Sequence, residues 1–147
     1  MTRIIGCGNL NRGDDGVGIY MADRLREYGI PAETCTGDAT GLMEVWCGAA
    51  DVLILDAVCT GAPIGTIHQW DMRHSRLPAR SWASTHGFGI AEGIELARKL
   101  GRLPKRLRIY GIEIAQFAAG TDLSREVRAS ADKLLQRVIA NHFPEKQ

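Results

Sequence analysis

The run VLILDAV, residues 52–58, narrows the possible folds more than any other stretch of the chain. It is apolar on both parities, and a strand apolar on both sides needs cover on both faces. A strand with one wet face would alternate instead. The run therefore predicts a central strand between two helical layers. The neighbouring patterns agree. RIIGC (3–7) reads as a first strand, 32–36 as a short second, TIHQW (66–70) as a fourth and RLRIYGIEI (106–114) as a fifth. Val17, Tyr20, Met21, Leu25 and Tyr28 recur at helical spacing up to Gly29. Leu42, Val45, Trp46 and Ala49 mark a short second helix. The spacing predicts a third helix over 87–100, with Ile90, Ile94, Ala97 and Leu100 inward. Ser124 is placed to cap a fourth, whose stripe is Val127, Ala131, Leu134, Leu135, Val138 and Ile139.

Strand–helix–strand repeats impose right-handed crossovers and a largely parallel sheet. The link from the third strand to the fourth has no helical pattern, so the fourth strand is expected to be antiparallel. The expected fold is a three-layer α/β/α sandwich. The chain's 147 residues suit one domain spanning 1–147.

Charge and cysteine usage remove several function classes. The formal net charge is +1, which gives no footprint for nucleic acid or an anionic membrane. No apolar stretch approaches the roughly 18 residues of a membrane span, and the chain opens directly on a strand-like run without a signal-peptide pattern. The four cysteines stand at 7, 35, 47 and 59 and form no C-x-x-C pair, against a zinc knuckle or a thioredoxin-type motif. Cys7 and Cys59 read as buried small apolar residues. These features predict a cytoplasmic protein with reduced thiols.

In such sheets ligands bind beyond the carboxyl ends of the strands. Polar residues collect at those positions. After the first strand comes Gly6-Cys7-Gly8-Asn9-Leu10-Asn11-Arg12-Gly13-Asp14-Asp15-Gly16; Asp56 comes at the end of the third; Ser84-Thr85-His86-Gly87 follows the fourth and its loop. If strands one and three are neighbours, Asp15 and Asp56 face one crevice. Two carboxylates and an imidazole make an O,O,N donor set suited to Ni, Zn, Mn or Fe. Three protein ligands leave a coordination position for substrate.

Each residue also has a plainer role available. Asp14 and Asp15 could cap a helix and complement its dipole. His86 could be a packed or surface histidine, and His68, His74 and His142 have no partner that spacing reveals. Gly6-x-Gly8 could open a dinucleotide loop, but the third glycine falls too late, at 13, and two acids stand where pyrophosphate would lie. Ser84 lies near His86, but G-x-S-x-G is absent. No cysteine precedes a helix start that would lower its pKa.

GCGNLNRGDDGVG (6–18) resembles the opening glycine–asparagine and double-acid motif of the hydrogenase maturation proteases. LILDAV (53–58) resembles their second motif, and STHGFGIAEGIELARKLGRLPKRLRIYGIEI (84–114) their third block. FAAGTDLSREV (117–127) is similar to their closing segment. One departure is visible: Gly37-Asp38-Ala39-Thr40 stands where the family often has Asp-Gly-Gly-Thr. The resemblance implies a phosphorylase/hydrolase-like fold, with a five-stranded mixed sheet in the order 2-1-3-5-4. It implies an endopeptidase that removes the C-terminal extension of the nickel-loaded [NiFe] hydrogenase large-subunit precursor. It also places the metal-contacting and catalytic positions on Asp15, Asp56 and His86. Nickel would then arrive with the precursor, and no tightly bound cofactor of the enzyme's own is expected. A nickel-sensing or chaperone-type domain using the same triad is the alternative without catalysis.

Overall fold

The structure, a computed structural model, describes residues 2–8, 10–35, 39–74, 90–115 and 122–146. Five strands form one sheet: β1 (Thr2–Cys7), β2 (Glu33–Cys35), β3 (Asp51–Val58), β4 (Ile67–Asp71) and β5 (Arg106–Glu113). Their order is β2-β1-β3-β5-β4, as the family resemblance implies. β1, β2, β3 and β5 run parallel, and β4 pairs antiparallel with β5. β3 is central and buried from Val52 through Val58, which is why its sequence is apolar on both parities.

Among the described residues four helices cover the sheet: α1 (Val17–Glu27), α2 (Ala39–Trp46), α3 (Ile90–Lys99) and α4 (Arg125–His142). On one face Leu53, Leu55, Tyr110 and Ile112 pack with Val17 and Met21 of α1 and with Leu134 and Val138 of α4. On the other face Ile5, Val52, Ile54 and Ile109 pack with Leu42 and Trp46 of α2 and with Ile90 and Ile94 of α3. No helix among the described residues is long and apolar enough to cross a membrane.

One expected core position is not in the core. Leu100 is 56% exposed. α3 ends at Lys99, so its side chain lies beyond the last helical turn, where spacing no longer fixes direction. The expected start of the third helix at Gly87 lies outside the described residues.

α1 sits unusually close to the sheet. A Cβ on Gly18 would lie 2.1 Å from the Cys7 carbonyl oxygen and 2.4 Å from that of Leu55. A Cβ on Gly6 would lie 2.2 Å from the Gly18 carbonyl oxygen. Only glycine at both places lets helix and strand backbones touch. This contact sets the height of α1, and with it the segment just before α1 that carries the acid pair.

Candidate active site

β1 reaches the carboxyl edge of the sheet at Cys7. The chain then turns through Gly8 and a 3-10 segment, Leu10–Gly16, before entering α1. Asp14 and Asp15 lie in that segment, and their environments differ. Asp14 is buried, and its carboxylate accepts from the Ser124 backbone N–H at 2.6 Å and the Ser124 hydroxyl at 2.9 Å. Ser124 is itself the N-cap of α4, its hydroxyl accepting from the Val127 N–H at 3.4 Å. Asp14 therefore joins the 3-10 segment to the positive end of α4, 110 residues later in the chain. Asp14 thus bonds the cap residue of a distant helix, while the N-cap of α1 itself, Gly16, makes no side-chain cap bond.

Asp15 is half-buried beside Asp56. Asp56, on β3, is buried, and its Oδ1 accepts from the Ala57 N–H at 2.7 Å. Burial pushes the Asp56 carboxyl well above the usual carboxylate range. The Ala57 hydrogen bond opposes that shift, and the negative charge of Asp15 adds to it. A carboxyl that resists ionisation next to a second carboxylate is an arrangement suited to proton transfer or to a cation that displaces the proton.

The thiols beside the acids are ill suited to nucleophilic work. Cys7 and Cys35 are paired across β1 and β2 and both are buried. The hydrogen bond to Cys35 and then burial hold the Cys7 thiol well above its ordinary pKa, and the Asp56 charge adds to this. Burial raises Cys59 as well, reinforced by the charges of Glu113 and Asp15. A thiol kept protonated is a poor nucleophile. The serine-based alternative, Ser84, lies outside the described residues.

His86 also lies outside the described residues, as does Asp38 of the altered loop. α3 precedes the parallel strand β5 and its end joins the amino edge of the sheet, so its first residue, Ile90, stands toward the carboxyl edge. Among the described residues, no cluster of three or more His, Cys, Asp and Glu side chains could hold a metal ion.

One polar cluster escaped the sequence reading. Glu113, the last residue of β5, is only 1% exposed. It accepts from His68 Nε2 at 2.9 Å and from the Thr60 hydroxyl at 2.6 Å. Its other oxygen accepts from the N–H groups of Thr60 at 2.7 Å and Gly61 at 3.2 Å. Burial alone would raise the Glu113 pKa, but these hydrogen bonds overcome it and lower the pKa from its ordinary value. His68 therefore has a partner after all, and its ring also stacks on Trp70 with centroids 5.0 Å apart. The Gly-Ile-Glu ending of the fifth strand was the available signal, because a carboxylate closing a buried strand has to be satisfied.

A surface groove of about 780 Å³ between Met43, Trp46, Leu103 and Pro104 lies at the opposite, amino edge of the sheet. It is remote from the acids, so the chemistry is assigned to the carboxyl edge on the strength of its charged groups and not of cavity size.

Fold and acid pair together define an α/β protein with carboxylates, not ionised thiols, at the carboxyl ends of its central parallel strands. Residues 36–141 match the HycI hydrogenase maturation protease family. The chain belongs to the hydrogenase maturation proteases and is an endopeptidase of that kind. Protein FrxA of Pyrococcus furiosus is 28% identical over 131 residues, 87% of this chain and 95% of its own length. The hydrogenase 2 maturation protease of Escherichia coli is 27% identical over 147 residues, 93% of this chain and 87% of its own. Among solved structures, the [NiFe] hydrogenase maturation protease HybD from Thermococcus kodakarensis shares the fold with a TM-score of 0.73. It is 24% identical, and the match covers 95% of this chain and 97% of that one. Membership in a family of proteases leaves the non-catalytic alternative without support.

Proposed function

We propose that this endopeptidase cuts the C-terminal extension from a nickel-loaded [NiFe] hydrogenase large-subunit precursor, reading the substrate's nickel with Asp15, Asp56 and His86. The observation that carries the reading is the state of Asp56, which is buried, reluctant to ionise and next to Asp15. A cation entering alone would have to displace the proton from Asp56, since a ligating carboxylate must be ionised. The enzyme by itself should therefore bind divalent ions weakly. Nickel already held by the precursor gains the enzyme's ligands as an added chelate, and the precursor's tail is anchored beside the acids in the same event.

Hydrolysis requires water to attack the scissile carbonyl carbon, losing a proton, while the departing amide nitrogen gains one. Nickel in the substrate can polarise the carbonyl or acidify a bound water. Asp15 and Asp56 can instead exchange the protons, one ionised as the base and one protonated as the acid, as paired carboxylates with separated pKa values do. In both versions the acids orient the attacking water and His86 completes the donor set. The family resemblance supports a cytoplasmic setting, a single domain over 1–147 and no resident cofactor.

The test is to mix the enzyme with nickel-free and with nickel-loaded precursor and follow loss of the C-terminal peptide by mass. Cleavage of the loaded form alone is expected. Equal cleavage of both rules out nickel reading and leaves a carboxylate peptidase that needs no metal.

A further inference from the structure

Nothing in the proposed chemistry uses Glu113, yet it is among the most completely buried charged groups described. Burying a carboxylate is costly, and an apolar residue of similar size usually serves stability as well. Its surroundings indicate what it does. Glu113 pairs with Val58 across β3 and β5, two residues beyond the pairing of Asp56 with Gly111. Strand spacing and rise put the Glu113 and Asp56 Cα atoms roughly 8 Å apart. His68 pairs with the other side of Gly111. Paired residues point to the same face, so Asp56, Glu113 and His68 share the α2/α3 side at the carboxyl edge.

Glu113 also holds the chain that leaves β3. Its side chain takes the Thr60 and Gly61 N–H groups and the Thr60 hydroxyl. Its backbone N–H donates to the Thr66 carbonyl at 2.8 Å, and its carbonyl accepts from the Gly65 N–H at 2.9 Å. Both ends of the Cys59–Thr66 connection are thus tied to one residue. Because an ionised carboxylate only accepts, His68 Nε2 must carry the proton in that bond. The imidazole is fixed in tautomer by Glu113 and in plane by Trp70, with its side chain still 20% exposed. Thr60 and Gly61 are exposed. The result is a wall on the β4 side of the acids, built from a hydrogen-bonded turn and an oriented imidazole.

We infer that Glu113 is a positioning residue for the cleavage: through the Thr60–Gly61 turn and His68 it fixes the wall against which the precursor's extended tail is held, beside the acids, in ground and transition state alike. The inference rests on the proposed function and adds the part of the site that binds peptide. A wall that binds the tail in both ground and transition states should act on KM, whereas a proton-transfer group should act on kcat.

The experiment is steady-state cleavage of nickel-loaded precursor by Glu113→Gln, Thr60→Val and Thr60→Ser, with folding checked by circular dichroism. An amide at 113 offers one acceptor oxygen and a donor group where four donors converge, so the turn is released. KM is expected to rise about tenfold in Glu113→Gln, with kcat within about twofold of wild type. Thr60→Val should raise KM by less, and Thr60→Ser should restore it. Long-range ¹H–¹⁵N spectra should show the Nε2–H tautomer of His68 in the wild type and its loss in Glu113→Gln. Wild-type kinetics in a folded Glu113→Gln overturns the inference, and so does a loss confined to kcat. If Glu113→Gln does not fold, an unchanged KM in Thr60→Val and in His68→Gln overturns it. Failure of the wild-type protein to shorten the precursor refutes the proposed function and this inference together. Wild-type cleavage with an unaffected Glu113→Gln refutes this inference alone.

Discussion

Replacing Gly18 by alanine puts one methyl group between a helix and two strands. The Cβ would lie 2.1 Å from the Cys7 carbonyl oxygen, 2.4 Å from the Leu55 carbonyl oxygen and 2.9 Å from the Cys7 nitrogen. All three are backbone atoms of β1 and β3, which are hydrogen-bonded to each other and cannot rotate aside. Ordinary contact needs about 3.5 Å, so α1 has to retreat by about 1.4 Å. Alanine would gain about 1 kcal/mol of helix propensity over glycine. Overpacking of this kind costs about 1–3 kcal/mol and more where backbone is the obstacle. A retreating helix also pulls buried Val17, Met21 and Leu25 out of the core. The net loss should be about 2 kcal/mol, or roughly 6 °C in Tm for a chain of this size. Activity should fall further than stability, since Asp15 lies three residues before Gly18 and a shift near 1 Å can cost about 100-fold in rate. Urea denaturation read by circular dichroism gives the first quantity and precursor cleavage the second. Gly6→Ala should behave alike, because its Cβ meets the Gly18 carbonyl oxygen. One retreat relieves both clashes, so the double variant should lose less than the sum of the two. A Gly18→Ala protein with wild-type stability and cleavage would refute the close-contact argument.

Asp14→Ala removes the acceptor of two hydrogen bonds from Ser124 and should cost about 2 kcal/mol in urea denaturation, hydrogen bonds to charged groups being worth about 1.5–3 kcal/mol; a loss below about 0.5 kcal/mol would contradict the anchoring role. Asp56→Asn should stabilise the fold while abolishing cleavage. The sign follows from the raised folded-state pKa of Asp56: its contribution is fully present below the unfolded pKa near 4 and is lost as pH rises through the folded value. The Tm advantage of the asparagine variant should therefore widen as pH rises above the unfolded carboxylate pKa near 4, and a constant gap would refute the burial argument.

The architecture was legible because its strongest signals are local. β3 is apolar on both parities because both of its faces are covered, and the helix-free link after it forces β4 to turn back. Leu100 faces solvent for an equally local reason. Gly101 takes a positive φ of 68° and stops the helix right after it. Roles within the site were harder to read, because each is decided by a partner remote in sequence. Asp14 and Asp15 are adjacent acids of one motif, and no spacing rule separates them. Ser124, 110 residues on, claims Asp14; β3 brings Asp56 to Asp15. His68 could not be paired from sequence because its partner, Glu113, is 45 residues away across an antiparallel register. The double acid is therefore best understood as one device with two halves. Without Asp14 fastened to the cap of α4, the 3-10 segment would lose its link to the far helix, and Asp15 would lose its fixed height over Asp56. Without the glycine contact of α1 on β1, the segment would be carried at a different height. Gly6, Asp14, Asp15 and Gly18 thus act together within one short stretch: the glycines seat α1 on the strands and Asp14 ties the segment to α4, which fixes where the charge of Asp15 meets Asp56.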